Sequence, residues 1–199
     1  MVSYHREVTT ATNAGPTRQR LMEVALELFR QHSVAGTSLQ MISDALCLTK
    51  SAIYHHFRTR EELLDAILEP VLTELALLIE EAESLRTARA RADRMLVGYA
   101  TLAASNRTLI SVLSGDPYVT ELVRNKAEWN STVSRQMRLL ADLEPGVGGQ
   151  VNAAIVMSGF AGAARGDFEG LDDDALRDQL ITAGRRTLGL RAPGSLSGR

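Results

Sequence analysis

An all-α fold in two parts, with about nine helices in all, is what this sequence predicts, and three observations carry that reading. Apolar residues recur at three- and four-residue spacing along nearly the whole chain from Thr17 onward. No segment shows the strict alternation of a half-buried strand, and no internal repeat is visible. Charge is divided unevenly. Residues 1–60 hold seven Lys/Arg against four Asp/Glu, or +3, and the remaining residues hold fifteen against twenty, or −5. All four histidines lie in the first sixty positions. A basic lobe on an acidic body suits contact with a polyanion at one end of the molecule.

Residues 1–16 are polar and threonine-rich and end in Gly15-Pro16. They are expected to form a disordered arm, whose His5 and Arg6 could reach a minor groove. Thr17 to His32 reads as a helix with Leu21, Val24, Ala25, Leu28 and Phe29 on one face. Gly36 breaks the chain. Thr37 or Ser38 then caps a short helix running to about Leu46, with Thr37 and Gln40 at capping-box spacing. Cys47-Leu48-Thr49 is the turn. Lys50 to about His56 is a second short helix, and Thr59 with Glu62 three residues on starts the next.

From Arg60 the pattern is helical almost throughout. Leu63, Leu64, Ile67, Leu68, Val71, Leu72, Leu75, Leu78 and Ile79 form a wide apolar stripe, as in a helix buried on more than one side. Arg86 to about Ser105 is the next helix. Asn106 can cap a short one to about Ser114, which Gly115 ends. Asp116-Pro117 is a cap followed by proline at the first helical position, expected to open a long helix to about Leu143. Pro145-Gly146-Val147-Gly148-Gly149 reads as a linker. It follows a helix rather than a strand, so it is no phosphate-binding loop. Gln150 to about Arg165 is apolar and rich in small residues. Asp172 caps a last helix ending near Gly189, and residues 192–199 read as a frayed tail.

Composition narrows the function. The 199 residues suffice for one or two domains with a core, and 45% of them are apolar, as in a globular protein. The single cysteine, Cys47, forms no internal disulfide, which favours a reducing, intracellular setting. No apolar run approaches the ~20 residues of a membrane span, and no secretory signal is evident. A cytoplasmic location and no membrane partner are expected.

The most informative stretch is Thr49 to Leu64. Ile53 and Phe57, one turn apart, give the short helix an apolar face. Thr49, Lys50, Ser51, Ala52, Tyr54 and His55 make its other face small, hydroxylated, basic or aromatic. Such a face suits a helix laid in a DNA major groove, where hydroxyls, amines and ring edges reach phosphates and bases. Two short helices joined by a tight turn and braced by a third make a helix-turn-helix. Ile42, Ala45, Leu46, Leu48, Ile53 and Phe57 would then face inward, against Leu21, Val24, Leu28 and Phe29.

Arg18 to Leu64 resembles the DNA-binding domain of the TetR (tetracycline-repressor-like) family. The residues that carry the likeness are Leu28-Phe29, Gly36-Thr37-Ser38, Ile42-Ser43-Asp44-Ala45, Tyr54-His55-His56-Phe57 and Arg60-Glu61-Glu62-Leu63. The likeness covers roughly a quarter of the chain. It implies a helix-turn-helix domain at 17–64 and a larger helical effector-binding and dimerisation domain at 65–191. It implies that Thr37, Thr49, Lys50, Tyr54, His55 and Arg60 touch phosphates, with Ser38 beside them, and that Ser51 and Ala52 face base edges. The chain departs from the family where Cys47 replaces the usual Gly of the turn and Ser51-Ala52 replace the usual Gly-Thr pair. Cys47 is expected to be half-buried and to tolerate the turn, although its place beside the recognition helix leaves a redox role open.

The resemblance further implies a homodimer on a pseudo-palindromic double-stranded operator, released by a small organic effector, and so a transcriptional regulator of repressor type. Within the body, Met95, Tyr99, Trp129, Met137, Met157 and Phe160 are the candidate pocket residues, since a ligand pocket needs a few aromatic or polar groups among aliphatics. Ala154, Ser158 and Gly162, with Ala153, Gly159 and Ala163, allow close helix approach, and Leu176 and Leu180, with Ile181 and Leu188, supply apolar contact for a dimer interface. No metal or cofactor is implied: adjacent His55 and His56 diverge by about 100° on a helix, and the body has neither His nor Cys. No catalytic set is visible, so an enzyme on a helical bundle is disfavoured. The other alternative is a helical protein-binding adaptor that has lost DNA binding.

Overall fold

The computed structural model describes residues 14–166 and 168–190. The first thirteen residues of the expected arm, His5 and Arg6 among them, and the expected tail at 192–199 lie outside these. The described residues form ten helices and no strand. Backbone contacts divide the chain into two units after Ile67, three residues past the expected boundary at Leu64.

The first unit contains α1 (Ala14–Gly36), α2 (Leu39–Ala45), α3 (Lys50–His56) and the start of α4 (Arg60–Glu83). Helix α1 begins three residues earlier than expected. Pro16 sits in its first turn, where no intrahelical N–H is required. The helix breaks at Ser33, whose φ of 65° and ψ of 165° leave helical space. The break is held locally: the Thr37 hydroxyl donates to the Ser33 carbonyl at 2.8 Å, and the Gly36 N–H donates to the Ser33 hydroxyl at 3.1 Å.

Ser38, not Thr37, caps α2, its Oγ accepting from the Met41 N–H at 3.2 Å. The expected Thr37–Gln40 box does not form. Gln40 instead donates to Asp44 at 2.6 Å, one turn along the helix. The turn after α2 is a Schellman motif, in which the Leu48 N–H reaches the Ser43 carbonyl at 2.9 Å and the Cys47 N–H reaches Asp44 at 3.0 Å. Cys47 occupies its left-handed position, with φ of 53°. Thr49 caps α3 through the Ala52 N–H, and Thr59 caps α4 through the Glu62 N–H. The Glu62 carboxylate accepts in return from the Arg58 N–H at 2.8 Å.

Leu21, Ala25, Phe29, Val34, Ile42, Ile53 and Phe57 are buried to 2% exposure or less. Emptying such a site typically costs about 2–5 kcal/mol, so these residues fix the angle between the short helices. Ala45, the last residue of α2 and expected inward, is exposed, and Leu46 and Leu48 are only half-buried.

The second unit holds the rest of α4, then α5 (Ala88–Ser105), α6 (Arg107–Gly115), α7 (Pro117–Asn125), α8 (Ala127–Ala141), α9 (Val147–Arg165) and α10 (Asp173–Thr187). Leu78, Ile79, Met95, Leu96, Leu140, Val156 and Phe160 belong to one buried cluster. Four expectations need correction. The long helix from Pro117 is two helices, because Lys126 adopts an extended conformation between them (φ −84°, ψ 109°). This break raises the total from the expected nine. Asn106 makes no capping bond to α6; its amide donates back to the Leu102 carbonyl at 2.9 Å. The expected glycine linker is mostly helix, since α9 already begins at Val147. Helix α5 starts at Ala88 rather than Arg86, capped by Thr87.

Helix ends in this unit are closed by side chains from elsewhere. Arg107 donates to the carbonyls of Gly166 at 2.6 Å and Ala164 at 3.4 Å, satisfying the C-terminal end of α9. Arg185 forks onto Asp93 at 2.8 and 3.1 Å, joining α10 to α5. Helix α10 ends in a second Schellman motif, with the Leu190 N–H on Arg185 at 2.8 Å and Gly189 at φ of 65°.

Candidate nucleic-acid interface

The outward face of α3 is built by its cap and its core. Ile53 and Phe57 are buried, which turns Lys50, Ser51, Tyr54 and His55 to solvent. Tyr54 is 45% exposed, and the Lys50 Nζ lies 5.8 Å from its ring centre, so the aromatic ring carries a cation at its face. Ala52 is half-buried. Thr49 is exposed, with its hydroxyl already accepting from the Ala52 N–H at 3.3 Å. Neither α2 nor α3 has an acid in its first turn, so both keep an unscreened positive end.

Lys50 and Tyr54 share an open concavity of about 480 Å³ with Ser38, Gln40, Thr59 and Arg60, and with Glu61, whose carboxylate accepts from Arg60 at 2.9 Å. Hydroxyl, ammonium and phenol groups converge there with the N-terminal turn of α2. Such a set offers several donors to an anion. Gln40 and Thr59 were not among the expected contacts; their place in the first turn of α2 and at the cap of α4 is the signal that marks them.

Two of the expected phosphate contacts are engaged within the chain. Thr37 is 2% exposed, and its hydroxyl donates to the carbonyls of Leu28 at 3.2 Å and Ser33 at 2.8 Å, so it closes the end of α1 instead. Arg60 is turned inward in part: it donates to the Ala35 carbonyl and to the Glu61 carboxylate at 2.8 and 2.9 Å. Cys47 is exposed rather than half-buried. At the end of α3, His56 is half-buried, and loss of hydration, helped by the nearby charges of His55 and Arg18, holds its pKa below the usual histidine value. The His55 and His56 rings meet edge to face at 5.4 Å, and no cluster of three metal-ligating side chains occurs among the described residues.

Comparison with known proteins bears on this unit first. The family pattern described as bacterial regulatory proteins, tetR family, matches residues 21–67. In sequence the chain is similar to the transcriptional regulator AcrR of Shigella flexneri, 43% identical over 60 residues, which is 30% of this chain and 28% of that protein. It is 41% identical over 68 residues to a probable acrEF/envCD operon repressor of Escherichia coli, covering 33% of this chain and 31% of that protein. The chain thus spans less than a third of the length of these relatives. In fold the likeness extends further. The ketosteroid transcriptional regulator KstR2 of Mycobacterium tuberculosis superposes with a TM-score of 0.69 over 88% of this chain and 95% of that one, at 16% identity. The all-helical architecture that follows residues 21–67 is therefore shared with that regulator.

The second unit contains a cavity of about 300 Å³. Tyr99 and Met157, both expected as pocket residues, line it. Met95, Trp129, Met137 and Phe160 do not. Met95 is fully buried in the core, and Phe160 stacks behind Tyr99 at 5.6 Å. Trp129 lies under the Lys126 ammonium at 4.0 Å, and Met137 lines a separate, open depression beside Pro145 and Gly146. Among the lining residues absent from the sequence expectation is Gln136. Its signal was a lone amide on the apolar stripe Val133, Gln136, Leu140 of α8.

Helix α9 presents a second feature. Val147, Val151 and Ile155, four residues apart, are 73%, 49% and 53% exposed, an uncovered apolar stripe. Ser158 and Gly159 extend it, with Ala154 and Gly162 half-buried beside it. Leu176 and Leu180, expected at a dimer interface, face inward. They are 2% and 5% exposed within the unit's own core, because α10 turns that face onto α5 and α9.

Proposed function

We propose that the protein is a transcriptional repressor that binds duplex DNA as a homodimer and is released by a small organic effector. The observation that carries this reading is the outward face of α3, where Lys50, Ser51, Tyr54 and His55 stand clear of the core beside a donor-lined concavity. In this reading Lys50, Tyr54, Ser38 and Thr49 meet phosphates, His55 flanks them, and Ser51 and Ala52 approach base edges, with the Ala52 methyl suited to thymine. The likeness to a transcriptional regulator and to a probable operon repressor supports the same role.

One helix-turn-helix neutralises too few phosphates to hold DNA tightly alone, so pairing is physically required. The Val147, Val151, Ile155 stripe with Ala154, Ser158 and Gly162 is the surface assigned to it. No described helix is long and apolar enough to cross a membrane, and the regulator would work in the cytoplasm, where its DNA is. The effector acts by binding one of two dimer states better than the other.

Selection of bound duplexes from a random pool tests the reading. The expected product is a two-fold symmetric sequence whose half-sites lie about one helical turn or more apart, bound less tightly as salt rises. Recovery of no enriched sequence, with the α3 variants behaving as the parent, overturns it.

A further inference from the structure

The cavity of the second unit has a chemical signature beyond its size. At about 300 Å³ it falls at the small end of ligand pockets. Its walls are aliphatic and aromatic, and no charged side chain lines it among the described residues. Its polar groups are the Gln136 amide, the Tyr99 phenol and the hydroxyls of Ser114, Thr120 and Ser158. Gln136 is 1% exposed, and its Nε2 has no hydrogen-bond partner among the described residues. A buried amide donor left unpaired is costly, and native interiors pair nearly all of them. Burial pushes the Tyr99 hydroxyl up to about 12, so it too stays a protonated donor.

We infer that this cavity takes an uncharged, largely apolar molecule bearing one hydrogen-bond acceptor, a ketone or amide carbonyl in kind, which the Gln136 Nε2 caps. The inference rests on the effector-responsive reading above and names the chemical class of that effector. A carboxylate is disfavoured, because it would lose its hydration with no cation to meet it. A pure hydrocarbon fills the space but leaves the amide orphaned.

Three probes of matched shape test this on the full chain by calorimetry: 2-acetylnaphthalene, 2-ethylnaphthalene and 2-naphthoate. The ketone is expected to bind about fivefold tighter than the hydrocarbon, the gain of one neutral hydrogen bond. The carboxylate is expected to bind at least about tenfold weaker than the ketone. In Gln136→Leu and Gln136→Met, both close in volume, the ketone and hydrocarbon should bind alike. Removing the orphaned donor should also leave the ligand-free variants at least as heat-stable as the parent. Equal binding of ketone and hydrocarbon to the parent, a ketone preference that survives both variants, tightest binding by the carboxylate, or no binding by any probe up to its solubility limit each overturns the assignment. Retention of selected DNA by the same preparation is scored separately. A chain that binds DNA but no probe loses only the effector class. A chain that binds the ketone as expected but no duplex loses the regulator reading and keeps the cavity assignment.

Discussion

The Arg60 guanidinium donates to the Ala35 carbonyl at 2.8 Å, tying the first turn of α4 to the end of α1. A cation in the first turn of a helix opposes that helix's dipole. The sequence alone therefore suggests an external anion as its purpose, yet the side chain is held by a backbone oxygen and by Glu61. Arg60→Ala is expected to lower folding stability by about 1 kcal/mol, a value discounted for a one-third exposed side chain. Urea denaturation of the two proteins measures it. If stability is unchanged while the salt slope of DNA binding falls, the guanidinium serves phosphate after all.

Lys50 provides the contrast. Its ammonium is exposed over Tyr54 and makes no ion pair among the described residues. Lys50→Ala should leave stability within about 0.5 kcal/mol of the parent. It should weaken binding to every duplex by a similar factor and reduce the slope of log K against log salt by about one. Titrations from low to moderate salt on the selected duplex and on an unrelated one test this. A slope equal to the parent's removes Lys50 from the phosphate set.

Cys47 and Gly189 occupy the same place in two Schellman turns, with φ of 53° and 65°. Glycine takes that conformation freely, whereas a side chain there costs on the order of 1 kcal/mol. Cys47→Gly should therefore stabilise the chain by about 0.5 kcal/mol, once the greater freedom of glycine in the unfolded state is subtracted. Cys47→Val, β-branched, should destabilise it by at least about 1 kcal/mol. Should the glycine variant melt below the parent, the turn carries no strain at this residue.

The helix-turn-helix was legible because its signals are local. Ser38, Thr49 and Thr59 announce helix starts, and Ile53 and Phe57 fix which face is buried. What escaped depends on partners far along the chain. Nothing near Thr37 says that its hydroxyl will be consumed by Leu28 and Ser33, and nothing near Arg60 points 25 residues back to Ala35. The break at Lys126 has no glycine or proline to mark it. In the body, a Leu at helical spacing reads the same whether it meets its own core or another subunit. Leu176 and Leu180 are buried in the chain's own core, whereas Val151 and Ile155 are exposed. The lone amide of Gln136 on an apolar stripe passed unnoticed in the sequence, because its meaning needed the cavity.

His56 predicts a dependence on pH. Its folded pKa is depressed, chiefly by burial. A base with a depressed folded pKa binds its proton less readily when folded than when unfolded. Its contribution is therefore fully present above the ordinary histidine value and lost as pH falls through that value and below it. Folding stability should decline from pH 7 to pH 5 in the parent, and the decline should be shallower in His56→Gln. Urea midpoints at the two pH values provide the measurement, and identical declines would show that other groups set the acid side.

The open stripe on α9 yields the prediction that separates folding from pairing. A Cβ placed on Gly159 or on Gly162 meets nothing within 4 Å among the described residues. By contrast, a Cβ on Gly149 in the same helix would strike the carbonyl oxygens of Glu144 and Ala141. Glycine within a helix costs about 0.8–1 kcal/mol relative to alanine, so Gly159→Ala should stabilise the single chain by an amount of that order. If two copies of α9 cross at this stripe, the added methyl pushes their backbones apart and weakens the pair. Ile155→Arg should act more strongly, placing a charge at the centre of the stripe and raising the dissociation constant of the pair at least about tenfold, with little effect on the fold of each chain. Sedimentation equilibrium and thermal unfolding on the same samples separate the two effects. An Ile155→Arg protein that stays paired at the parent's affinity would move the interface off α9, while one that also loses tight operator binding would show that two recognition helices must act together.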